Sequence, residues 1–156
     1  MSSKFQVRLA RGRDDARRLY AFLTSCHLEI GNGAVDHGKA FAKVLDIVDN
    51  HAAVIVEDEA GEIVGSTGIE QYQVWYGDTW ELGDIWFFVR RDLRGSEVAS
   101  LMVDECGKIA DAAGASAILI INNASPPGRR RVESLGRLHH FEPRGHLLRI
   151  NPRNAV

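Results

Sequence analysis

The chain is poor in cysteine, with Cys26 and Cys106 alone among 156 residues. They form no Cys-x-x-Cys pair and no zinc-type spacing, which excludes a disulfide framework and a thiolate metal cage. Both fall in segments with helical patterning, where a thiol is a small buried hydrophobe. Proline occurs four times and no low-complexity stretch or internal repeat is present. No apolar run approaches the roughly 20 residues that span a bilayer, so no membrane partner is expected. The first residues, Met1 to Gln6, lack the apolar core of a secretory signal, and a reducing cytoplasm is the expected compartment. Charge of one sign is also missing. The formal net charge is -2 and the pI about 6.3, so the whole molecule offers no field for nucleic acid or anionic lipid. Six histidines invite a metal, but His139 and His140 are adjacent and no Asp or Glu stands at ligand spacing to them. No metal is expected.

What is present is an ordinary globular composition, 45% hydrophobic and 26% charged. The length favours one domain, residues 1–156, able to bury roughly 70% of its unfolded surface. Phe5, Val7 and Leu9 alternate with polar residues, as in a half-buried strand. Asp14 or Asp15 can cap the next helix, in which Leu19, Phe22, Leu23 and Cys26 share a face. Gly31-Asn32-Gly33 breaks it. Phe41, Val44, Leu45 and Val48 repeat the pattern after a cap at Asp36. Ala53 to Val56 and Ile63 to Ile69 read as a hairpin around Glu59 to Glu62. Gly65 and Gly68 mark a close backbone neighbour there. Trp75 to Thr79 is a turn, and Trp80 to Val89 is a strand too hydrophobic for an edge.

Beyond a polar stretch, Arg90 to Ser96, Val98, Leu101, Met102, Ile109 and Ala113 share a helix face, with Gly114 as its C-cap. Ala117 to Ile121 is a continuous apolar run, as in a strand buried on both faces. A loop through Gly128, a helix over Arg129 to Leu138 and a strand over His146 to Ile150 complete the chain. The fold class is therefore α/β: a mixed, mostly antiparallel sheet with helices on both faces and one strand–helix–strand crossover. Trp75, Tyr76, Trp80 and Trp86 concentrate around the long strand. Most are expected to pack in the core or on the sheet, with Trp75 and Tyr76 able to wall a pocket.

The informative segment is Phe87-Phe88-Val89-Arg90-Arg91-Asp92-Leu93-Arg94-Gly95-Ser96-Glu97-Val98-Ala99. A buried strand runs through a basic loop into a long helix. The first amides of that helix lack internal partners and its dipole adds positive charge, so the junction suits a pyrophosphate. Gly95 would let a ligand approach the backbone and Arg94 would supply charge.

This segment resembles the V-x-P-x-x-R-G-x-G-x-G/A motif of GCN5-related N-acetyltransferases, with Val89, Arg94, Gly95 and Ala99 in register. Arg91 stands for the frequent proline and Glu97 for the middle glycine. The Arg-Gly-Ser order is similar to phage-type members, and the resemblance extends from Phe5 to Ile150. It implies an acetyl-CoA-dependent N-acetyltransferase acting on an amine of a small molecule or protein, and a possible homodimer, since the family often dimerises. By the same resemblance Phe88 and Val89 bond the pantetheine through their backbone. Arg94, Gly95, Ser96, Glu97, Val98, Ala99 and Ser100 line the pyrophosphate, and Asn123 sits beside the cofactor arm. Many members carry an acid on the fourth strand. Here the choices are Glu81 and Asp84, which face opposite sides. Asp84 is preferred, being nearer the cofactor end and flanked by apolar residues that would raise its pKa. The segment from Cys26 to Asp36, with His27, Glu29 and Asn32, would be the acceptor-side loop.

One family feature is missing. The Y-x-x-x-G-F context of the last helix becomes Gly136-Arg137-Leu138-His139-His140-Phe141, and no tyrosine follows Tyr76. A leaving thiolate would take its proton from water, His139 or His140. Together with Glu97, this makes a catalytically degenerate CoA-binding or protein-interaction module the alternative. Arg129, Arg130, Arg131, Arg137, His139, His140 and Arg144 form a locally basic cluster. It reads as a solvated face, a contact to the 3′-phosphate of CoA or to an acidic substrate. Nucleic acid is a lesser reading without a stacking platform.

Overall fold

The computed structural model describes residues 3–30, 33–118, 134–135 and 137–139. Five strands form one sheet in sequence order: β1 (Gln6–Leu9), β2 (Ala52–Glu57), β3 (Ile63–Gln73), β4 (Trp80–Val89) and β5 (Ser116–Ile118). The first four pair antiparallel, and β5 pairs parallel to β4. Two helices, α1 (Gly12–Ile30) and α2 (His37–Asn50), connect β1 to β2. A third, α3 (Val98–Ala113), makes the crossover between β4 and β5 after a 3-10 turn, Arg91–Leu93. The mixed sheet with its single crossover is the expected architecture. Ser134, Leu135, Arg137 and Leu138 are helical, inside the expected final helix. The expected last strand lies outside the described residues.

The sheet is buried on both sides. Val54, Ile55 and Val56 are wholly inaccessible. Alternation sends Ala53 and Ile55 toward α1 and α2, where they pack with Leu19, Ile47 and Trp86. It sends Val56 toward α3, where it packs with Val64, Val98 and Met102. Complete burial of a residue such as Leu19 contributes about 2 kcal/mol. Asp36 caps α2 as expected, its carboxylate accepting the Lys39 amide at 3.0 Å.

Four expectations need correction. Asp15 lies within the first turn of α1 rather than ahead of it. Its carboxylate accepts from the Arg11 amide at 2.8 Å and from the Arg8 guanidinium at 2.6 Å. The buried stripe of α3 is Val98, Met102, Cys106 and Ala110 with Val103, and Ala113 is exposed. The close neighbours of Gly65 and Gly68 are side chains rather than backbone. A Cβ on Gly65 would stand 2.5 Å from the Val98 side chain, and one on Gly68 about 2.4 Å from the Trp86 ring. Of the four aromatics around β4 only Trp86 is buried. Trp75 is 93% exposed and packs edge-to-face on Tyr76 at the tip of the β3–β4 turn.

The register between β3 and β4 carries one irregularity. Gly68 pairs with Trp86 and Ile69 with Asp84, leaving Ile85 without an opposite residue. This is a β-bulge. It reverses which way the strand's side chains face: Leu82 packs beneath α3 with Cys106 and Ala110, whereas Trp86 and Phe88 pack toward α1 and α2.

Candidate functional site

Two features meet at the end of β4: the turn into α3 on one side and a cavity beneath α1 and α2 on the other. In the turn, Gly95 adopts φ +90°, which a Cβ would strain, and no heavy atom stands within 4 Å of the place a Cβ would take. The first intrahelical bond of α3 runs from the Leu101 amide to the Glu97 carbonyl at 2.9 Å. The Ser96 amide donates to the Leu93 carbonyl and the Val98 amide to Ser96 Oγ. The amides of Gly95, Glu97, Ala99 and Ser100 meet no acceptor among the described residues. They are the donor set that a helix start offers an anion.

The side chains divide differently from expectation. The Arg94 guanidinium donates to the Val89 carbonyl at 3.1 Å and to Glu29 at 2.7 Å. Its charge is neutralised by that α1 carboxylate instead of standing free at the turn. Arg90 is likewise held by Asp92 and Asp58. Arg91 has no carboxylate partner among the described residues. It lines a cleft of about 590 Å³ between α1 and the turn. The Glu97 side chain is exposed and accepts from Ser3 Oγ at 3.3 Å, so its carboxylate is engaged by the segment preceding β1 while its amide stays among the free donors. Phe88 and Val89 pair with Ser66 and Gly65 of β3. On the other edge of β4 the described ladder ends at Gly83 with Ile118. Asn123 lies outside the described residues.

Ser100 does more than end the turn. Its hydroxyl bonds Nε2 of His139, and Nδ1 of His139 lies 2.9 Å from Asp104. Ser100 and Asp104 are one helical turn apart on α3, so the pair grips a histidine from the final helix. Sequence reading named Ser100 and His139 separately; nothing in their spacing of 39 residues announces the contact.

The cavity holds about 390 Å³, within the range of small-molecule sites. Trp86, Phe88, Leu23 and Val44 supply apolar walls, and His27, Asp36, Lys39 and Lys43 supply polar ones. The Trp86 indole is fixed by its Nε1 donating to Ser66 Oγ at 2.9 Å. His27 Nε2 lies 3.0 Å from the Gly33 carbonyl. A carbonyl only accepts, so Nε2 carries the proton and Nδ1 of the neutral ring is a lone pair. Neither expected acid lines this cavity. Asp84 is on the α3 side, close enough to help raise the Cys106 thiol. Glu81 faces the other way and accepts from the Tyr72 hydroxyl at 2.9 Å. Trp75 and Tyr76, expected as pocket walls, do not line it either. Cys26 and Cys106 are buried, and burial pushes their thiols up to about 11 and about 12.

No protein-family model and no curated protein matches the sequence. Solved structures do match: the chain has the fold of the GCN5-related N-acetyltransferases. It superposes on a predicted acetyltransferase with acetyl-CoA from Clostridium acetobutylicum with a TM-score of 0.71. The identity is 17%, and 94% of this chain and 96% of that one are covered. The aminoglycoside acetyltransferase AAC(6')-Iy, in complex with a CoA-linked bisubstrate analogue, also gives 0.71 at 15% identity, covering 97% and 100%. A ribosomal-protein-alanine N-acetyltransferase from Brucella melitensis gives 0.70 at 13%, covering 97% and 100%.

Proposed function

We propose that this protein is an acetyl-CoA-dependent N-acetyltransferase acting on an amine held in the α1–α2 cavity. The observation that carries the reading is the pair of sites at the end of β4. Four unpaired amides at the start of α3 offer seats for phosphate oxygens, and an amine-sized cavity reaches Phe88 from the opposite face. The fold shared with acetyltransferases, one holding acetyl-CoA and one a CoA-linked analogue, supports the assignment. Gly95, Glu97, Ala99 and Ser100 bind phosphate through their amides, with Arg91, unpaired among the described residues, as a nearby cation. Arg94 holds the turn by tying Val89 to Glu29. Phe88 and Val89 present their backbone to the pantetheine arm.

Acetyl-CoA supplies an acetyl thioester. The neutral amine bonds its carbonyl carbon, the carbon–sulfur bond breaks, and the sulfur leaves as thiolate. The amine's proton passes to Nδ1 of His27, the imidazole on the cavity wall whose other nitrogen is already engaged. Glu81 and Asp84, set apart from the cavity, are assigned no direct proton transfer.

Calorimetric titration with acetyl-CoA tests the reading. Binding near the micromolar range, about -8 kcal/mol, is the expected result. Absence of binding at millimolar ligand overturns it. A second reading, a CoA-binding module without turnover, is favoured by the lack of any tyrosine after Tyr76. It predicts the same binding with no acetylated product from any amine.

A further inference from the structure

The charges around the cavity carry a statement about the acceptor, resting on the reading of that cavity as the acceptor site. Its walls are apolar where Trp86, Phe88, Leu23 and Val44 meet, so a ligand there loses water along most of its body. Moving a charged group into such surroundings without a partner is costly. The charged groups on the wall are Asp36, Lys39 and Lys43. The Asp36 carboxylate is committed to the first turn of α2 through the Lys39 amide. The Lys43 ammonium sits 3.0 Å from Glu70 and 3.6 Å from Asp46, so it is already compensated. The Lys39 ammonium has no carboxylate within ion-pair distance among the described residues. His27, donating through Nε2, adds no negative charge.

Among the described residues the wall thus offers one cation without an ion-pair partner, Lys39, beside an apolar floor, and its one carboxylate, Asp36, is held at the first turn of α2 by the Lys39 amide. A polycation would meet Lys39 as a like charge. The sequence beyond β5 does not reverse this balance, since residues 119–156 contain seven arginines and two glutamates. We propose that the acceptor is a small amine bearing a carboxylate on an apolar body, of the size and class of an apolar amino acid, with Lys39 pairing the carboxylate.

Phenylalanine, phenethylamine and spermidine separate the terms. The first two share a ring and an amine and differ in the carboxylate, and the third is a polycation without either feature. With the acetyl-CoA-loaded protein, acetylation of phenylalanine is expected to exceed that of phenethylamine by at least about tenfold in kcat/KM, with spermidine slowest. Lys39→Glu should abolish or invert that ratio and Lys39→Arg should preserve it, while the acetyl-CoA Kd stays unchanged in both variants. Equal or faster turnover of phenethylamine or spermidine by the wild type overturns the proposal, as does an unchanged ratio in Lys39→Glu. Acetyl-CoA binding with no amine discriminated overturns this inference alone. Absence of acetyl-CoA binding overturns the acetyltransferase reading beneath it.

Discussion

Up to Asp84, the even-numbered side chains of β4 face α3; from Trp86 onward, even-numbered side chains face α1 and α2. One residue, Ile85, separates these halves because β3 provides nothing opposite it. Before the bulge the strand contributes Leu82 to the packing under α3. After it, the same parity contributes Trp86 and Phe88 to the cavity on the other face. The lesson is that a single extra residue decides which side of the sheet receives the large aromatics, and therefore where a pocket can exist. It also decides the fate of the two acids: Asp84 shares the Leu82 side and not the Trp86 side.

The harshest way to break this contrast is to delete Phe87, one residue past Trp86. With Trp86 still opposite Gly68, the strand could go on pairing only by turning Phe88 toward α3 and Val89 toward α1. Deleting Ile85, by contrast, leaves Asp84 and Trp86 as consecutive partners of Ile69 and Gly68 with every face kept. We expect the Phe87 deletion to lose cooperative unfolding altogether, a cost beyond about 5 kcal/mol, read as the absence of a thermal transition by circular dichroism. A normal transition in the Phe87 deletion, or none in an Ile85 deletion, would mean that the bulge does not govern the packing.

The chemical version of the same contrast sets His27 against Asp84. His27→Ala removes the cavity-side base and is expected to lower kcat by about 100-fold or more. The acetyl-CoA Kd should hold. Asp84→Asn acts on the α3 face and is expected to change kcat by less than about fivefold, the small-effect side of that range. Steady-state kinetics on both variants decides it. A larger loss from Asp84→Asn would return the catalytic role to the acid that sequence reasoning preferred.

Much of this arrangement was legible before any coordinates. Val89 ends its strand and Val98 begins its helix where the Arg94-Gly95 motif requires, and Asp36 caps α2. These signals are local, set by backbone freedom and by neighbours three or four residues away. The bulge was not legible, because Ile85 reads as one more apolar residue in an apolar strand, and Gly68, which stands where the pairing shifts, was read only as a sign of a close backbone neighbour. The Arg94–Glu29 pair joins positions 65 apart, and the Ser100–His139 contact joins positions 39 apart. Such pairings are decided by tertiary packing. His27 was named within the acceptor-side loop, yet its membership of a cavity depends on α2 and β4 arriving beside it. Ala113 failed for the reverse reason: apolar identity was read as burial, and a folded surface always retains some apolar residues. Trp75, offered as a pocket wall, stands exposed at the β3–β4 turn instead.

A milder perturbation sharpens the picture on the cavity side. Gly68 leaves the space that the Trp86 ring fills, and an added Cβ would come within about 2.4 Å of it. The ring is also held by Ser66 and cannot slide freely. Gly68→Ala should cost about 1 to 3 kcal/mol, measured as a shift in the denaturant midpoint. Because the indole is a cavity wall, KM for the amine should rise while the acetyl-CoA Kd changes little. An unchanged amine KM would separate Trp86 from the acceptor site.

The smallest expected difference lies between the thiols, one on each side of the sheet. Cys26 belongs to α1 and Cys106 to α3. Burial is the main cause of both raised pKa values, about 11 and about 12. Negative neighbours add to it, Glu29 for Cys26 and Asp84 for Cys106. At pH 7.5 the thiolate fraction is therefore far below that of a free cysteine, whose pKa is about 8.5, and alkylation should be slow at both. Cys26, at 5% exposure against none for Cys106, should react first. Raising the pH toward 10 should accelerate Cys26 before Cys106, because its thiolate becomes populated earlier. Mass spectrometry of iodoacetamide-treated protein reads the order directly. In Asp84→Asn the lag of Cys106 should shorten, since one of the charges opposing its thiolate is gone. If that lag is unmoved, Asp84 does not face Cys106, and the assignment of β4's first half to the α3 side fails at its most specific point.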